Sequence, residues 1–424
     1  MKNNIVGEIT QVLNFTLNLI NNLDEHIDIF HKMYPQDLEK KQLQDKLIAE
    51  TTLLLFLVNR IPITYGFSPI ILQIANKLEK YARHPEHLLI LSSNPQAVIG
   101  VGLSHIMLDK LGMPNTIFDD VINTAFSSKF VTSIDRPNFR QMEMLWLQGI
   151  FQNIQPDFSE LLSCSIIKKP LHPIYMRRED AYAITHTAMY LTNFGEKNLN
   201  EFIDINFIQS FIDHSISWCL VYADWDLLIE ILMVSLFIKS NNSKKSHFSL
   251  ISNSILEKIF SNNGVIPSLN FSNVIYNNLQ GRKKEAYFAM QSYHTTYVYG
   301  ILRTLEFCSK NNTLELDVEE DSNIDLNIAN YIDNNLSYDN LVKFILTGNL
   351  NNIEVLINAK LIYLARECKN EELFDNLETY ETSSVNRVVE TCEVAAEKLI
   401  QFIRATSYKQ KMLEIDKLNL NILN

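Results

Sequence analysis

Apolar residues recur at helical spacing along most of the chain, and this periodicity restricts the fold more than any other feature. In "IVGEITQVLNFTLNLINNL" the residues Ile5, Ile9 and Val12 begin one broad apolar face. Strand-like alternation is scarce, and "TLELDV" at 313–318 is the only plausible short strand. Eleven glycines and eleven prolines among 424 residues are also few for an all-β or Rossmann-like plan. We therefore predict an all-α fold.

A series of further helices is predicted from the same spacing, most of them of medium length and joined by short connections. They cover residues 37–58, 68–82, 95–111, 115–126, 137–153, 176–193, 200–222, 224–239, 246–260 and 284–307. Prolines such as Pro62, Pro114 and Pro137 lie between helices, where proline opens the next helix or stops the previous one. We expect helical hairpins packed in an α/α-toroid-like array, with extra C-terminal helices.

One acidic, asparagine-rich stretch divides the chain. The segment "SKNNTLELDVEEDSNIDLNIANYIDNN" is poor in large aromatic residues, so residues 309–338 are predicted to form a linker. Before this linker we expect a toroid-like domain over 1–308, with N-terminal helices over 1–84. After it we expect a helical region over 339–424, which could pair two chains into a homodimer.

The charge balance bears on partners and location. The sequence has 37 Lys and Arg residues and 49 Asp and Glu residues, which gives a net charge of −12. It contains no run of basic residues. We therefore expect neither nucleic acid nor an anionic membrane surface as a partner. The longest apolar run, Leu53–Val58, is far shorter than the roughly 20 residues of a membrane span. The N-terminal stretch lacks a signal-peptide pattern, so a cytoplasmic location is expected.

The segment "REDAYAITHTAMYLTNFG" at 178–195 is the first that could carry chemistry. Polar aromatic and imidazole side chains form one stripe of this predicted helix, beside a second stripe of small and apolar residues. The polar stripe consists of Tyr182, His186, Tyr190 and Asn193. We expect two buried faces, one packed and one lining a cavity, with Arg178 at the start and Gly195 as a left-handed cap. The alternative is that His186 is an ordinary hydrogen-bonded core histidine.

A second segment, "YFAMQSYHTTYVYGILRTLEF" at 287–307, repeats this arrangement with Tyr293, His294 and Tyr297. Four tyrosines and one histidine fall within thirteen residues. A buried hydroxyl without a partner costs about 1–3 kcal/mol, so these groups need either partners or a ligand. A polar cavity would supply them, and the alternative is again a satisfied core.

The third segment, "YADWDLLIEILMVSLFI" at 222–238, places two carboxylates on a very hydrophobic helix. Asp224 has the character of an N-cap, and Asp226 and Glu230 share a face at i and i+4. Inward-facing carboxylates suit general acid–base work, because burial raises one pKa toward neutrality. Alternatively, Asp226 is a first-turn acid and Glu230 pairs with an arginine such as Arg282 or Arg303.

A fourth and weaker segment is "RPNFRQMEMLWLQGIF" at 136–151, where Arg136, Arg140 and Glu143 suggest a solvated ladder of ion pairs. The sequence contains no phosphate-binding loop, nucleophile elbow or H-E-x-x-H zinc motif. We therefore do not expect the reactions that depend on these motifs. Five scattered cysteines without a C-x-x-C pair do not form a disulfide framework or a cysteine-rich zinc site. No cofactor is predicted, and zinc held by His186, His294 and Asp226 is the alternative.

Three blocks of the chain, "AYAITH", "DWDLLIE" and "YHTTYVYG", resemble an uncharacterised bacterial family, mainly actinobacterial and associated with natural-product loci. The resemblance covers roughly residues 85–305, and Asn193 stands where the family pattern has an aspartate. No activity is established for that family. The resemblance therefore implies a setting in natural-product biosynthesis but no particular reaction.

These observations favour a cofactor-independent acid–base enzyme of cyclase, lyase or hydrolase type that acts on a small molecule or a peptide. The expected catalytic residues are His186, His294, Asp226 and Glu230. The expected substrate-binding residues are Arg178, Tyr182, Tyr190, Asn193, Asp224, Tyr293 and Tyr297. Two alternatives stay open: a non-catalytic protein that binds a peptide or metabolite in the same pocket, and a helical scaffold acting through its C-terminal helices.

Overall fold

Every regular element in the described residues is helical, which confirms the predicted all-α fold. The computed structural model describes residues 2–35, 39–131, 135–169, 176–238 and 247–312, together with 360, 362–364 and 366. The toroid-like arrangement stays a prediction. The strand predicted at 313–318, most of the linker predicted at 309–338 and most of the C-terminal helices lie outside the described residues.

The helices of the described chain run in sequence order. They are α1 (Lys2–Asn21), α2 (Leu23–Met33), α3 (Lys40–Val58), α4 (Ser68–Ala82), α5 (Pro85–Ser93), α6 (Leu103–Lys110), α7 (Thr116–Ser127), α8 (Asn138–Gln152), α9 (Ser159–Cys164), α10 (Arg178–Leu191), α11 (Ile205–Tyr222), α12 (Trp225–Leu236), α13 (His247–Asn263), α14 (Asn273–Asn278) and α15 (Gly281–Asn312). Short 3₁₀ turns occupy Ile63–Tyr65, Pro95–Ala97, Lys129–Val131, Ile166–Lys168 and Leu199–Glu201.

Most of the predicted helices occur within a few residues of their expected bounds, but one of them is broken. The helix predicted at 95–111 begins as a 3₁₀ turn, continues as a π-helical turn at Val98–Gly102 and becomes regular only in α6. Gly100 and Gly102 lie in this turn, where glycine disfavours a regular helix. The helices α2, α5, α9 and α14 were not predicted; α9 and α14 have only six residues each, too few for a repeated apolar pattern.

Capping residues set the ends of the helices around α12. The Asp224 carboxylate accepts a hydrogen bond from the backbone amide of Leu227 at 3.4 Å, which confirms the predicted N-cap. Gly195 has the predicted left-handed conformation, with a φ of 82°. Asn193 and Phe194 are left-handed as well, with φ of 49° and 51°. The helix α10 therefore ends at Leu191, and Asn193 lies beyond it.

The long helix α15 packs against α1, α2, α3 and α12. Its fully buried residues include Tyr287, Tyr297 and Tyr299. The apolar helix α12 packs against α10, α11 and α15. The carboxylates of α12 therefore have the histidine of α10 on one side and the histidine of α15 on the other, and this arrangement positions the site.

The chain divides into two compact units, which are residues 1–170 with 177–336, and residues 171–176 with 337–424. The helices α1–α15 belong to the first unit. In the second unit, Arg366 donates a hydrogen bond to the carbonyl of Met176 at 2.8 Å. No helix of the described ranges is long and apolar enough to cross a membrane.

Candidate functional site

The site is centred on Asp226 and Glu230, which lie one turn apart on α12. Both side chains are buried, and all the other buried residues of α12 are apolar. A buried carboxylate is stable only when charges or hydrogen bonds surround it. The groups that perform this task come from α10 and α15.

Asp226 has three neighbours of different chemistry. The Tyr182 hydroxyl donates a hydrogen bond to Asp226 Oδ2. His294 Nε2 lies 3.3 Å from Asp226 Oδ1, and Arg178 Nη2 lies 4.0 Å from Oδ2. The contact between His294 and Oδ1 has the distance of an ion pair without the geometry of a hydrogen bond, since no hydrogen-bond partner of this buried oxygen occurs in the described chain.

His294 contacts a carboxylate through each of its ring nitrogens. Its second nitrogen, Nδ1, lies 2.8 Å from Glu50 Oε2 of α3. Burial lowers the pKa of His294, but Glu50 and Asp226 outweigh this effect and raise the pKa well above its ordinary value. The two carboxylates therefore favour the positively charged form of the ring. With 35% of its side chain exposed, it is also within reach of a ligand.

Glu230 has its own set of partners. Thr185 Oγ1 donates a hydrogen bond to Glu230 Oε2 at 2.5 Å, and His186 Nδ1 lies 3.5 Å from the same oxygen. His186 Nδ1 is also 2.9 Å from the carbonyl oxygen of Tyr182. In the neutral ring this bond assigns the proton to Nδ1 and leaves Nε2 as an acceptor. His186 is 24% exposed, and no partner of Nε2 is present among the described residues.

The two carboxylates differ in pKa because their surroundings differ. Burial raises the pKa of Asp226, but the charge of His294, with the Tyr182 hydrogen bond and the charge of Arg178, outweighs burial and lowers it. For Glu230, burial is the largest effect, and the pKa is raised. Neighbouring groups whose pKa values are driven apart are typical of acid–base pairs.

Arg178 and Asp224 form the edge of the site. Arg178 donates two hydrogen bonds to the Asp224 carboxylate, from Nε at 2.5 Å and from Nη2 at 2.9 Å. The Arg178 guanidinium also lies over the Tyr182 ring, 4.8 Å from its centroid. This bidentate pair joins the start of α10 to the start of α12 and fixes the relative position of the two helices.

The remaining predicted tyrosines lie in packed surroundings beside the site. Tyr190 packs on Trp146 at 5.5 Å between ring centroids, and burial with the neighbouring Glu143 raises the pKa of Tyr190. Burial and Glu50 raise the pKa of Tyr293. The Tyr297 hydroxyl accepts a hydrogen bond from Thr51 at 3.3 Å. These hydroxyl groups are therefore un-ionised.

Asn193 is not placed beside the carboxylates. Its side-chain oxygen accepts hydrogen bonds from Trp146 Nε1 at 2.7 Å and from Arg60 Nη2 at 3.4 Å. The physical reason is the end of α10 at Leu191, after which the left-handed turn carries Asn193 away from the polar face of the helix. The residue connects this turn to α8 and to Arg60, which follows the end of α3.

Two interpretations of the charged residues are wrong. Glu230 does not pair with Arg282 or Arg303, because Arg282 pairs with Glu285 at 2.8 Å and Arg303 with Glu8 at 2.6 Å.

The ladder predicted on α8 is formed only by Arg140 and Glu143, which lie 2.7 Å apart. Arg136 instead donates to the carbonyl of Val131 at 2.7 Å. Glu143 is buried and is not part of a solvated face.

Sequence reasoning missed two members of the site, Glu50 and Thr185. Glu50 lies where α3 changes from amphipathic to wholly apolar, and an acid at such a point is a signal for a buried partner. Thr185 was missed because it belongs to neither the polar stripe nor the apolar stripe of α10. His186 and His294 contact different carboxylates, and no group of three or more His, Cys, Asp or Glu able to hold a metal ion was found among the described residues.

The fold and the site define an all-α protein in which histidines from two helices flank the buried carboxylates of a third. A sequence model described as "Domain of unknown function (DUF6895)" matches residues 17–304. This match covers more than half of the chain, which therefore belongs to that family. It begins at residue 17 and so includes most of the N-terminal helices, which the resemblance over roughly 85–305 leaves out. No curated protein matches the chain, and no solved structure matches it.

Proposed function

We propose that this protein is a cofactor-independent acid–base enzyme that acts on a small molecule or a peptide. The observation that supports this most is the pair of buried carboxylates with oppositely shifted pKa values, each beside a partly exposed imidazole. A reaction of cyclase, lyase or hydrolase type needs a proton taken at one point and returned at another. The resemblance to natural-product proteins supports a biosynthetic setting.

His186 is the proposed general base. Its Nε2 is the accessible acceptor, and the hydrogen bond from Nδ1 to the Tyr182 carbonyl orients the ring. When Nε2 takes a proton, the Glu230 carboxyl group 3.5 Å from Nδ1 stabilises the resulting positive charge. Glu230 acts in this step as a carboxylate, and because burial raises its pKa it shares the proton of His186 Nδ1 more readily than an ordinary glutamate would.

Asp226, His294, Tyr182 and Arg178 form the proposed binding and electrostatic half of the site. The charged ring of His294 stabilises negative charge that develops on a substrate. The Tyr182 hydroxyl is held by Asp226 and is not ionised, so it serves as a hydrogen-bonding group. Asp226 positions both of these groups.

The test is a comparison of wild-type protein with His186→Gln on the small-molecule and peptide fraction of a cell extract. Untargeted mass spectrometry follows which compounds disappear and which products form. We expect turnover by the wild type and a loss of about 100-fold or more in His186→Gln, the usual contribution of a general base. His84→Gln is the matched control, because His84 has a 54% exposed side chain and lies outside the site.

Equal turnover by wild type and His186→Gln would refute the proposed role of His186. Absence of any turnover by the wild type would refute the proposal that this protein is an enzyme. Circular dichroism spectra that match between the variants exclude unfolding as the cause of a loss.

Binding without turnover is the second candidate. It is favoured by the saturation of the site's cations, since Arg178 pairs with Asp224 and His294 with two carboxylates. Such a network is rigid, which suits recognition. This candidate predicts that compounds from the extract raise the melting temperature of the wild type without being consumed, and that His186→Gln and His294→Gln both lose this stabilisation.

A further inference from the structure

The contact between Glu50 and His294 joins two helices that are far apart in sequence. Glu50 Oε2 lies 2.8 Å from His294 Nδ1, and the two residues are separated by 244 positions. Glu50 is partly exposed, and its other close charge is Lys46, at 3.7 Å one turn earlier on α3. Glu50 does not touch Asp226, so it reaches the carboxylates of α12 only through the His294 ring.

The positions of the two carboxylates select the form of the ring. A neutral imidazole has one N–H donor and one acceptor, whereas an imidazolium has two donors. Both nitrogens of His294 face carboxylate oxygens, at 2.8 Å and 3.3 Å. The doubly protonated ring has an N–H on each of these nitrogens, whereas a neutral ring would have a lone pair on one of them, close to an anion.

Titratable and charged groups of α3, α10, α12 and α15 surround His294. They are Glu50 with Lys46 behind it on α3, Asp226 and Glu230 on α12, Tyr293 on α15 itself, and Tyr182 and Arg178 on α10, the last two through Asp226. The anions of this set in direct contact with the ring are Glu50 and Asp226. Asp226 also accepts a hydrogen bond from Tyr182, whereas the partners of Glu50 are His294, the neighbouring Tyr293 and Lys46.

We propose that Glu50 is a positioning residue of this site, which orients the His294 ring toward Asp226 and holds it in its doubly protonated form. It acts on a substrate only through His294. This inference rests on the proposed function, because a positioning residue needs a reaction to serve, but its structural part is tested without a substrate.

The experiment is a pH titration of the histidine rings by NMR on full-length protein with isotope-labelled histidine, in wild type and in Glu50→Gln. The His294 signals are assigned by their disappearance in His294→Gln. We expect the protonation midpoint of His294 to fall by about 1–3 pH units in Glu50→Gln, the usual effect of losing one adjacent opposite charge. Once a substrate is known, we expect Glu50→Gln to lower kcat more than it changes KM.

The matched control is Asp45→Asn, which removes a carboxylate from the same helix. Asp45 lies 3.3 Å from His87 Nε2, so this variant should leave the His294 midpoint unchanged. If Glu50→Gln does not fold, Glu50→Asp is titrated instead and should show a smaller fall. An unchanged His294 midpoint in the folded variant, or an equal shift in Asp45→Asn, would overturn the inference. A shifted midpoint without any turnover by the wild type would refute the enzyme and leave this role of Glu50 intact.

Discussion

Arg303 is a buried cation at the point where α15 meets α1 and α13. Its side chain is 3% exposed, and it lies 2.6 Å from Glu8, 2.9 Å from Glu257 and 2.5 Å from Glu306. Burial raises the pKa of Glu8, and Arg303 opposes this effect. The arginine therefore holds carboxylates in the core that would otherwise be protonated or exposed.

Removing this cation should destabilise the fold strongly. We expect Arg303→Met to lower the free energy of unfolding by about 3–5 kcal/mol, because it leaves buried carboxylates without a partner. Urea denaturation followed by circular dichroism measures the change. Arg282→Met on the same helix is the control, since Arg282 is 58% exposed and should change the stability by about 1 kcal/mol or less. Similar losses in the two variants would contradict the role assigned to Arg303.

At the same scale, the carboxylates of α12 and their histidine, tyrosine and arginine neighbours were accessible to sequence reasoning, whereas Glu50 and Thr185 were not. Asp226 and Glu230 stand out because acids are rare on an apolar helix, and their inward direction was predicted on that ground. Glu50 has no local signal that names His294 as its partner. Asn193 was misplaced because the helical stripe was extended past Leu191, into residues with positive φ.

At the scale of elements, Gly300 determines how closely α15 approaches α1. A Cβ atom at this position would lie 2.8 Å from Val12 Cγ1 and 3.2 Å from Leu54 Cδ1. Glycine therefore allows α15 to lie close to Val12 and Leu54, whereas any larger residue at this position would force these side chains or the helix to move. The same close packing keeps His294, two turns earlier on α15, next to α3.

We expect Gly300→Ala to lower the free energy of unfolding by about 1–3 kcal/mol, the usual cost of overpacking a core. Chemical denaturation measures it. Gly7→Ala on α1 is the matched control, because a Cβ at Gly7 meets no atom of the described chain within 4 Å. That variant should gain up to about 1 kcal/mol from the higher helix propensity of alanine. A loss of stability in both variants, or in neither, would contradict this account.

The helices themselves were largely predictable, because apolar spacing and prolines mark their bodies and ends. The irregular turn at Val98–Gly102 was not, since its apolar residues keep a helical spacing while its two glycines weaken the regular hydrogen-bond pattern. The packing of α12 between α10 and α15 was inferred only indirectly, from polar side chains that needed partners.

At the scale of the whole molecule, the ion pairs of His294 make stability depend on pH. Burial lowers the pKa of His294, but Glu50 and Asp226 raise it above the ordinary value of 6.5. The folded state therefore binds this proton more tightly than the unfolded chain does. The stabilisation is fully present below about pH 6.5 and is lost as the pH rises through the folded-state pKa.

We expect the melting temperature of the wild type to fall between about pH 6 and about pH 9, and to fall less in His294→Gln. Differential scanning calorimetry across this range measures both. His84→Gln, at an exposed position, should follow the wild type. A fall of the same size in His294→Gln would show that other groups cause the alkaline loss.

The site has a topological consequence for how the chain reaches its native state. Glu50 comes from α3 and His294 from α15, 244 positions later. A fragment of the chain contains the imidazole and both of its anions only if it includes residues 50–294. Contacts of such high sequence separation form late, because the intervening chain must first be ordered. The resonance of the His294 ring therefore reports on the completion of folding, and two separately expressed halves would regain it only on reassociation.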